Sequence, residues 1–381
     1  MNSFESSLLQ NLPDINFAEK DVATITAEVI ARFEKDVGRT LFPGDPLRHL
    51  ILTFIYYLSL QRNKIDFSGK QNLLRYAKDG FIQNIAALVG AEQLEPRAAV
   101  TKLKFTLSTT LPNPTIILAG TRATPGNKLS FATTENVEIP AGKLSVVAHA
   151  ECTKVGTIGN GFLPGQVNRL TDNFAFNYSV ENIEETQGGA DLEDIEAFRE
   201  RTRMAPESFS TAGPSLSYVF WAKTANQLIS DVEAVSPSPG VVHIVPLLEG
   251  GEVPGQSILD EVYKICNADQ RRPLTDHVIV KAPEVVKFDI AFTYYISRRS
   301  AAIGLNLKQA VDEAVAEYDM WQKSKLGRNI EPSTLVKMVR RAGVRIDLNT
   351  VLPEFRVLEY YQIGVADMEN ANIVYGGLED D

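Results

Sequence analysis

Val100-Thr101-Lys102-Leu103-Lys104-Phe105-Thr106-Leu107 alternates apolar and polar side chains almost without a break. A repeat of two belongs to a strand with one dry face and one wet face, so a sheet begins here. Shorter runs of the same kind follow at Thr115 to Leu118, Val137 to Ile139 and Leu144 to Ala148. Between them stand Pro112-Asn113-Pro114, Pro125-Gly126-Asn127, Pro140-Ala141-Gly142 and Gly159-Asn160-Gly161, the residues that turn a chain back on itself. Residues 96–187 therefore predict a central antiparallel β module of sandwich or barrel type, with Gly188-Gly189 as its exit linker.

Upstream of this stretch the repeat is three and four. Val22, Ile25, Val29, Ile30 and Phe33 mark a helix over Asp21 to Lys35. In Phe42-Pro43-Gly44-Asp45-Pro46, Asp45 suits an N-cap, and Pro46 suits the first helical position, where no N–H is needed. The helix it opens is predicted to run to about Ala77, roughly 48 Å, with a kink or break near Ser68-Gly69. Its stripe of Leu47, Leu50, Ile51, Phe54, Leu58 and Ile65 is widened by Leu52, Ile55 and Tyr56. A helix apolar on several sides must be surrounded, either as the centre of its own domain or within a bundle shared between chains. Residues 1–95 are a helical arm, and Leu50, Ile51, Phe54, Tyr57, Leu58 and Ile65 are the candidate assembly interface.

Downstream, helices and strands mix. Asp191 to Glu196 opens a helix with acids, and Arg199, Arg201 and Arg203 close it, in keeping with the helix dipole. Helices are expected from Pro214 to about Leu228 and at Ser257 to Ala268, Leu305 to Ser324 and Pro332 to Ala342. Strands are expected at Asp231 to Val235, Val241 to Leu248, Phe288 to Tyr295, Val344 to Leu348 and Arg356 to Gly364. The fold class is multidomain α+β: helical arm, β module, and α+β units over 188–280 and 281–381.

Across 381 residues, 38 Lys and Arg face 48 Asp and Glu, a net charge of −10, which argues against a groove that tracks nucleic-acid phosphates. Cys152 and Cys266 are too far apart in sequence for a CxxC site and too few for a disulfide framework. The start has no apolar leader, and no stretch suits a membrane span, so a soluble, cytoplasmically made chain is expected. His49, His149, His243 and His277 show no metal-ligand spacing. The run from Gly156 to Gly165 lacks the Lys of a phosphate loop and opens no helix, so it reads as a tight β turn. Asp191 to Glu196 lacks the glycine of a calcium loop, and Pro206 to Pro214 has no GxSxG elbow. No catalytic, cofactor-binding or metal-ligating residue is assigned, and no small-molecule substrate is implied.

Several short motifs stand in a fixed order: Asn72-Leu-Leu-Arg-Tyr-Ala77, Leu118-Ala-Gly-Thr121 with Phe131-Ala-Thr-Thr134, and Gly159-Asn-Gly-Phe-Leu-Pro-Gly-Gln166. Gly188-Gly-Ala-Asp191, Phe198-Arg-Glu-Arg201, Pro206-Glu-Ser-Phe-Ser-Thr-Ala-Gly-Pro214, Ser236-Pro-Ser-Pro-Gly240, Arg272-Pro-Leu-Thr-Asp276 and Tyr375-Gly-Gly-Leu-Glu379 follow. In this order the chain resembles the baseplate J family of contractile tails, as in P2-like phages, over residues 20 to 379. The resemblance implies a structural wedge component of the tail baseplate, assembled in the host cytoplasm and linked into a ring. Its implied partners are further copies of itself, a small tail protein I and other wedge proteins, with the helical arm in a shared bundle. Within the motifs, Ser208, Phe209, Ser210, Gly213 and Pro214 are expected to be structural. The acidic Val365 to Asn372 departs from the family and leaves the pairing of the last strand open. An alternative is a receptor-contacting or fibre-attachment module, for which Tyr178, Phe174 and Phe176 are the candidate loop aromatics. A wall hydrolase would need a carboxylate pair that the sequence does not single out.

Overall fold

The computed structural model describes residue 9 and residues 11–126, 128–171, 178–209 and 214–380, apart from the side chain of Ala301. The chain divides into two units, residues 1–93 with 195–205, and residues 94–194 with 206–381. It is a mixed α+β protein with helices at both ends and a near-barrel antiparallel sheet between them.

In the first unit, α1 (Val22–Val37) is capped by Asp21, whose carboxylate accepts from Thr24 N at 2.7 Å. α2 (Pro46–Lys70) starts on Asp45, with Pro46 in the first turn. It stops at Lys70, short of Ala77, because turns take over at residues 71–76. α3 (Gly80–Leu88) follows. Ile25, Ile30 and Leu41 pack on Ile51 and Ile55 to make this unit's small core.

The second unit opens with the strands β1 (Ala98–Leu107), β2 (Thr115–Ile117), β3 (Arg122–Gly126), β4 (Leu129–Thr133), β5 (Val137–Ile139), β6 (Ser145–Val155), β7 (Arg169–Leu170) and β8 (Tyr178–Asn182). Six of them form a sheet in the order β7-β3-β4-β6-β1-β8, with β2 and β5 paired beside it. The alternation read at 100–107 is the alternation of burial along β1. Its inward side chains, Leu103, Phe105 and Leu107, meet Phe131, Ala148 and Val180 in the barrel core.

The helix expected from Asp191 begins at α4 (Ile195–Met204), which belongs to the first unit. Next come α5 (Ser215–Ala225), β9 (Ile229–Ser238), β10 (Val241–Leu248), α6 (Gln256–Cys266) and β11 (His277–Val280). β10 lies between antiparallel β9 and parallel β11. One face of this sheet packs on α5 and α6 through Val242, Ile244, Ile258 and Val262. Its other face puts Val245 and Leu247 against Leu326 and Ile363, so β10 is buried on both sides.

The C-terminal elements are β12 (Glu284–Phe288), β13 (Ala291–Ser297), α7 (Gly304–Gln322), α8 (Pro332–Arg341), β14 (Arg345–Leu352), β15 (Gln362–Ala366) and β16 (Asn372–Glu379). The single strand expected over Phe288 to Tyr295 is two strands, because β12 pairs with β15 while β13 lies between β14 and β16. The strand expected from Arg356 begins only at Gln362. β16, whose pairing the sequence left open, runs parallel to β13. α7 and α8 cover this sheet, with Tyr318, Val311, Leu335 and Met338 packed on Phe292 and Ile346.

Candidate assembly interface

Asp45 and Pro46 fix where α2 begins, and the helical repeat then fixes which side chains share a side. Ile51, Ile55, Ser59 and Asp66 face inward. At the C-terminal end, Asp66 accepts from Lys20 Nζ at 2.8 Å and from the Phe17 backbone N–H at 2.9 Å, and Lys70 Nζ lies 3.2 Å away. The Lys20 hydrogen bond is the main reason that this carboxyl is held down at about 2, helped by the Phe17 N–H.

The rest of the helix is bare. Leu50 is 54%, Phe54 65%, Tyr57 61% and Ile65 55% exposed, and Leu58 is exposed as well. Ile51 departs from the expected set, since it lies in the unit's own core against α1. It sits one helical step from Leu50 and Leu52, and the repeat alone does not say which flank the neighbouring helix takes. Tyr56, Leu60 and Phe67 are also exposed. Phe67 meets Phe81 of α3 edge to face at 6.2 Å, extending the apolar surface beyond α2.

α4 docks within the same unit through arginine. Arg199, nearly buried, donates to the carbonyls of Leu74 and Ala77 and pairs with Glu196. Arg201 donates to the Glu92 carbonyl. The Phe198-Arg-Glu-Arg201 motif thus supplies the hydrogen-bond donors that the turns after α2 require.

The glycine-rich motif has a comparable role in the barrel. The run from Gly156 to Gly165, expected to be a tight β turn, holds a short 3₁₀ turn at Thr157–Gly159, after which the chain runs back along residues 182–189. Gly161 N donates to Thr186 O at 2.8 Å, and Gly165 N to Asn182 O at 2.8 Å. Asn160 binds both backbone groups of Gly189, at 2.7 and 2.9 Å. Gly189 is no linker: a Cβ there would meet Gly156 O at 2.5 Å, while its neighbours Gln187 and Ala190 bridge to Val100 and Arg97.

Of the Pro206 to Pro214 motif, Ser210 and Gly213 lie outside the described residues. Ser208 and Phe209 lie in a 3₁₀ turn, Phe209 exposed, and Pro214 precedes α5 with its carbonyl accepting from Ser217 N at 3.0 Å. Phe174 and Phe176 also fall outside the described residues, whereas Tyr178 packs against the barrel core. Burial pushes the Tyr178 phenol up.

Two further perturbed groups, Tyr218 and Cys266, lie in the core around α5 and α6. Burial raises Tyr218 above the usual phenol range, and its hydroxyl donates to Asp276 at 2.7 Å. Asp276 closes the Arg272-Pro-Leu-Thr-Asp276 motif, and the Arg272 guanidinium donates to its carbonyl at 3.1 Å. Burial also pushes the Cys266 thiol up to about 12. Among the described residues, no group of three or more His, Cys, Asp or Glu could hold a metal, and no helix is long and apolar enough to cross a membrane.

Residues 102–189 match the baseplate J-like protein barrel domain and residues 210–282 the baseplate J-like central domain, two domains of the baseplate J family. The chain is 27% identical over 165 residues to baseplate protein J of Escherichia phage P2, covering 43% of this chain and 54% of that protein. The chain thus aligns with about half the length of this curated relative. A chain in the cryo-EM structure of the anti-feeding prophage baseplate aligns over 90% of each chain at 11% identity. Its TM-score is 0.42. The helical arm and residues 283–381 lie outside both matched domains.

Proposed function

We propose that the protein is a non-enzymatic structural component of a contractile-tail baseplate, built into a wedge and linked with other wedges around the tail axis. The observation that carries the reading is the outward apolar face of α2, where Leu50, Phe54, Tyr57, Leu58 and Ile65 are exposed on a helix that forms only a small core of its own. Contiguous apolar surface of this kind marks a protein interface. On this reading the helical arm enters a bundle with other copies, a small tail protein I and further wedge proteins, in a particle assembled in the host cytoplasm. The two baseplate J-like domain matches and the likeness to baseplate protein J of phage P2 support the baseplate setting.

The test is to co-express the chain with the products of its neighbouring genes and image what forms. A discrete wedge or hexagonal ring is expected, and a lone monomer with every partner present would overturn the reading. Phe54→Asp should abolish co-assembly while leaving the barrel folded, because an unpaired carboxylate buried in a helix interface costs several kcal/mol. Normal recovery of that variant with its partners would remove α2 from the interface.

A further inference from the structure

A second apolar surface lies in the C-terminal elements. α8 turns Leu335, Met338 and Val339 into the core, which leaves Lys337, Arg340 and Arg341 on its exposed side. Beyond them runs an open groove of about 880 Å³. Val336 of α8 forms one apolar wall, and Leu348, Val351, Pro353 and Phe355 form the other. Phe355 is 56% exposed and Leu348 60%. Lys337, Arg340 and Arg341 line the same groove.

These three cations form no ion pair among the described residues, in a chain whose net charge is −10. Several other basic residues of this region are engaged: Lys323 with Asp319, Arg298 with Asp380 and Arg345 with Glu379. The one carboxylate among the lining residues is Glu354, exposed on the wall opposite α8. An apolar trough with an unneutralised basic rim selects a ligand that is apolar on one side and acidic along its edge.

Neither α2 nor the C-terminal carboxylates supply that ligand. α2 carries Arg48, His49, Arg62, Lys64 and Lys70, and its sole carboxylate, Asp66, is buried and held by two lysines. A second copy presenting α2 would bring like charge to the rim. Glu379 and Asp380 are already held by Arg345 and Arg298.

We propose that this groove docks an acidic amphipathic segment of a different protein. Its apolar side chains would lie on Val336, Leu348, Val351 and Phe355, and its carboxylates would face Lys337, Arg340 and Arg341. The inference is independent of the role given to α2 and fails separately from it.

The test uses the full chain and a fluorescein-labelled peptide of about 18 residues with Leu and Glu at helical spacing, against a matched peptide with Lys in place of Glu. The Leu/Glu peptide should bind by anisotropy and the Leu/Lys peptide should not. The K337E/R340E/R341E variant should weaken binding at least about tenfold, as should Phe355→Ser, and raising salt from about 0.05 to 0.5 M should weaken it several-fold. All four side chains are exposed, so circular dichroism and melting should be unchanged. No binding, equal binding of both peptides, or indifference to the substitutions would overturn the proposal. So would a concentration-dependent dimer abolished by Phe355→Ser, which would make the occupant a second copy.

Discussion

Asn182→Leu should lower the stability of the barrel-bearing unit by about 2–4 kcal/mol. The Asn182 side chain is 1% exposed and of nearly the same shape as leucine, so the change removes hydrogen bonds without opening a cavity. Its Oδ1 accepts from the buried Val167 N at 2.8 Å, while Nδ2 faces the carbonyls of Phe162, Leu163 and Glu184 at 3.2, 3.0 and 2.8 Å. The orphaned Val167 N–H costs about 1–3 kcal/mol, and the carbonyls add less. Glu184 O keeps a second partner, Thr101 Oγ1, at 3.0 Å. For a unit of this size the loss corresponds to roughly 3–7 °C in melting temperature, read by scanning calorimetry. Asn168→Ala is the control: its exposed Nδ2 donates to Gly165 O at 2.9 Å, and its loss should cost less than about 0.5 kcal/mol. A leucine variant within about 0.5 kcal/mol of the parent would refute the account of the motif as a hydrogen-bonded strap.

Asp66, with its folded pKa depressed to about 2, stabilises the helical unit fully above the unfolded value near 3.9, and that contribution is lost as pH falls through about 2. An acid titration by circular dichroism should show the helical signal weakening over that window, and Asp66→Asn should flatten the dependence. Arg199→Lys should destabilise the same unit by about 2–3 kcal/mol in urea, because one ammonium cannot serve both the Leu74 and Ala77 carbonyls in the guanidinium's place. Cys266, fully buried with its thiol raised to about 12, should stay silent to a thiol reagent at pH 8 until the protein is unfolded; rapid native labelling would contradict the packing of α6.

The strands were legible where one face is wet and the other dry, as along β1, because burial then writes its period into the sequence. β10 was also legible, from its length and apolar run, although both its faces are covered. β11 was not: its four residues His277–Val280 have no hairpin turn to announce them, and a parallel partner is set by the intervening α6. The capped starts of α1 and α2 were readable from Asp21 and Asp45, since a cap is a local contact. The inward place of Ile51 was not, because it depends on which flank α1 occupies. The glycine-rich motif could be recognised without its role being visible, since Asn160 and Asn182 act on backbone groups far away in sequence.

The return of α4 to the first unit makes that unit discontinuous in the chain. A ribosome releases residues 1–93 well before it reaches Met204, about 110 residues later, or on the order of 5–20 s of synthesis. Throughout that interval the carbonyls of Leu74, Ala77 and Glu92 await Arg199 and Arg201. The barrel, made in between, can fold first, so the N-terminal unit emerges first and is completed later. A cut near residue 95 would therefore leave the helical fragment without its last helix, and the remainder carrying a helix whose arginines have nothing to hold.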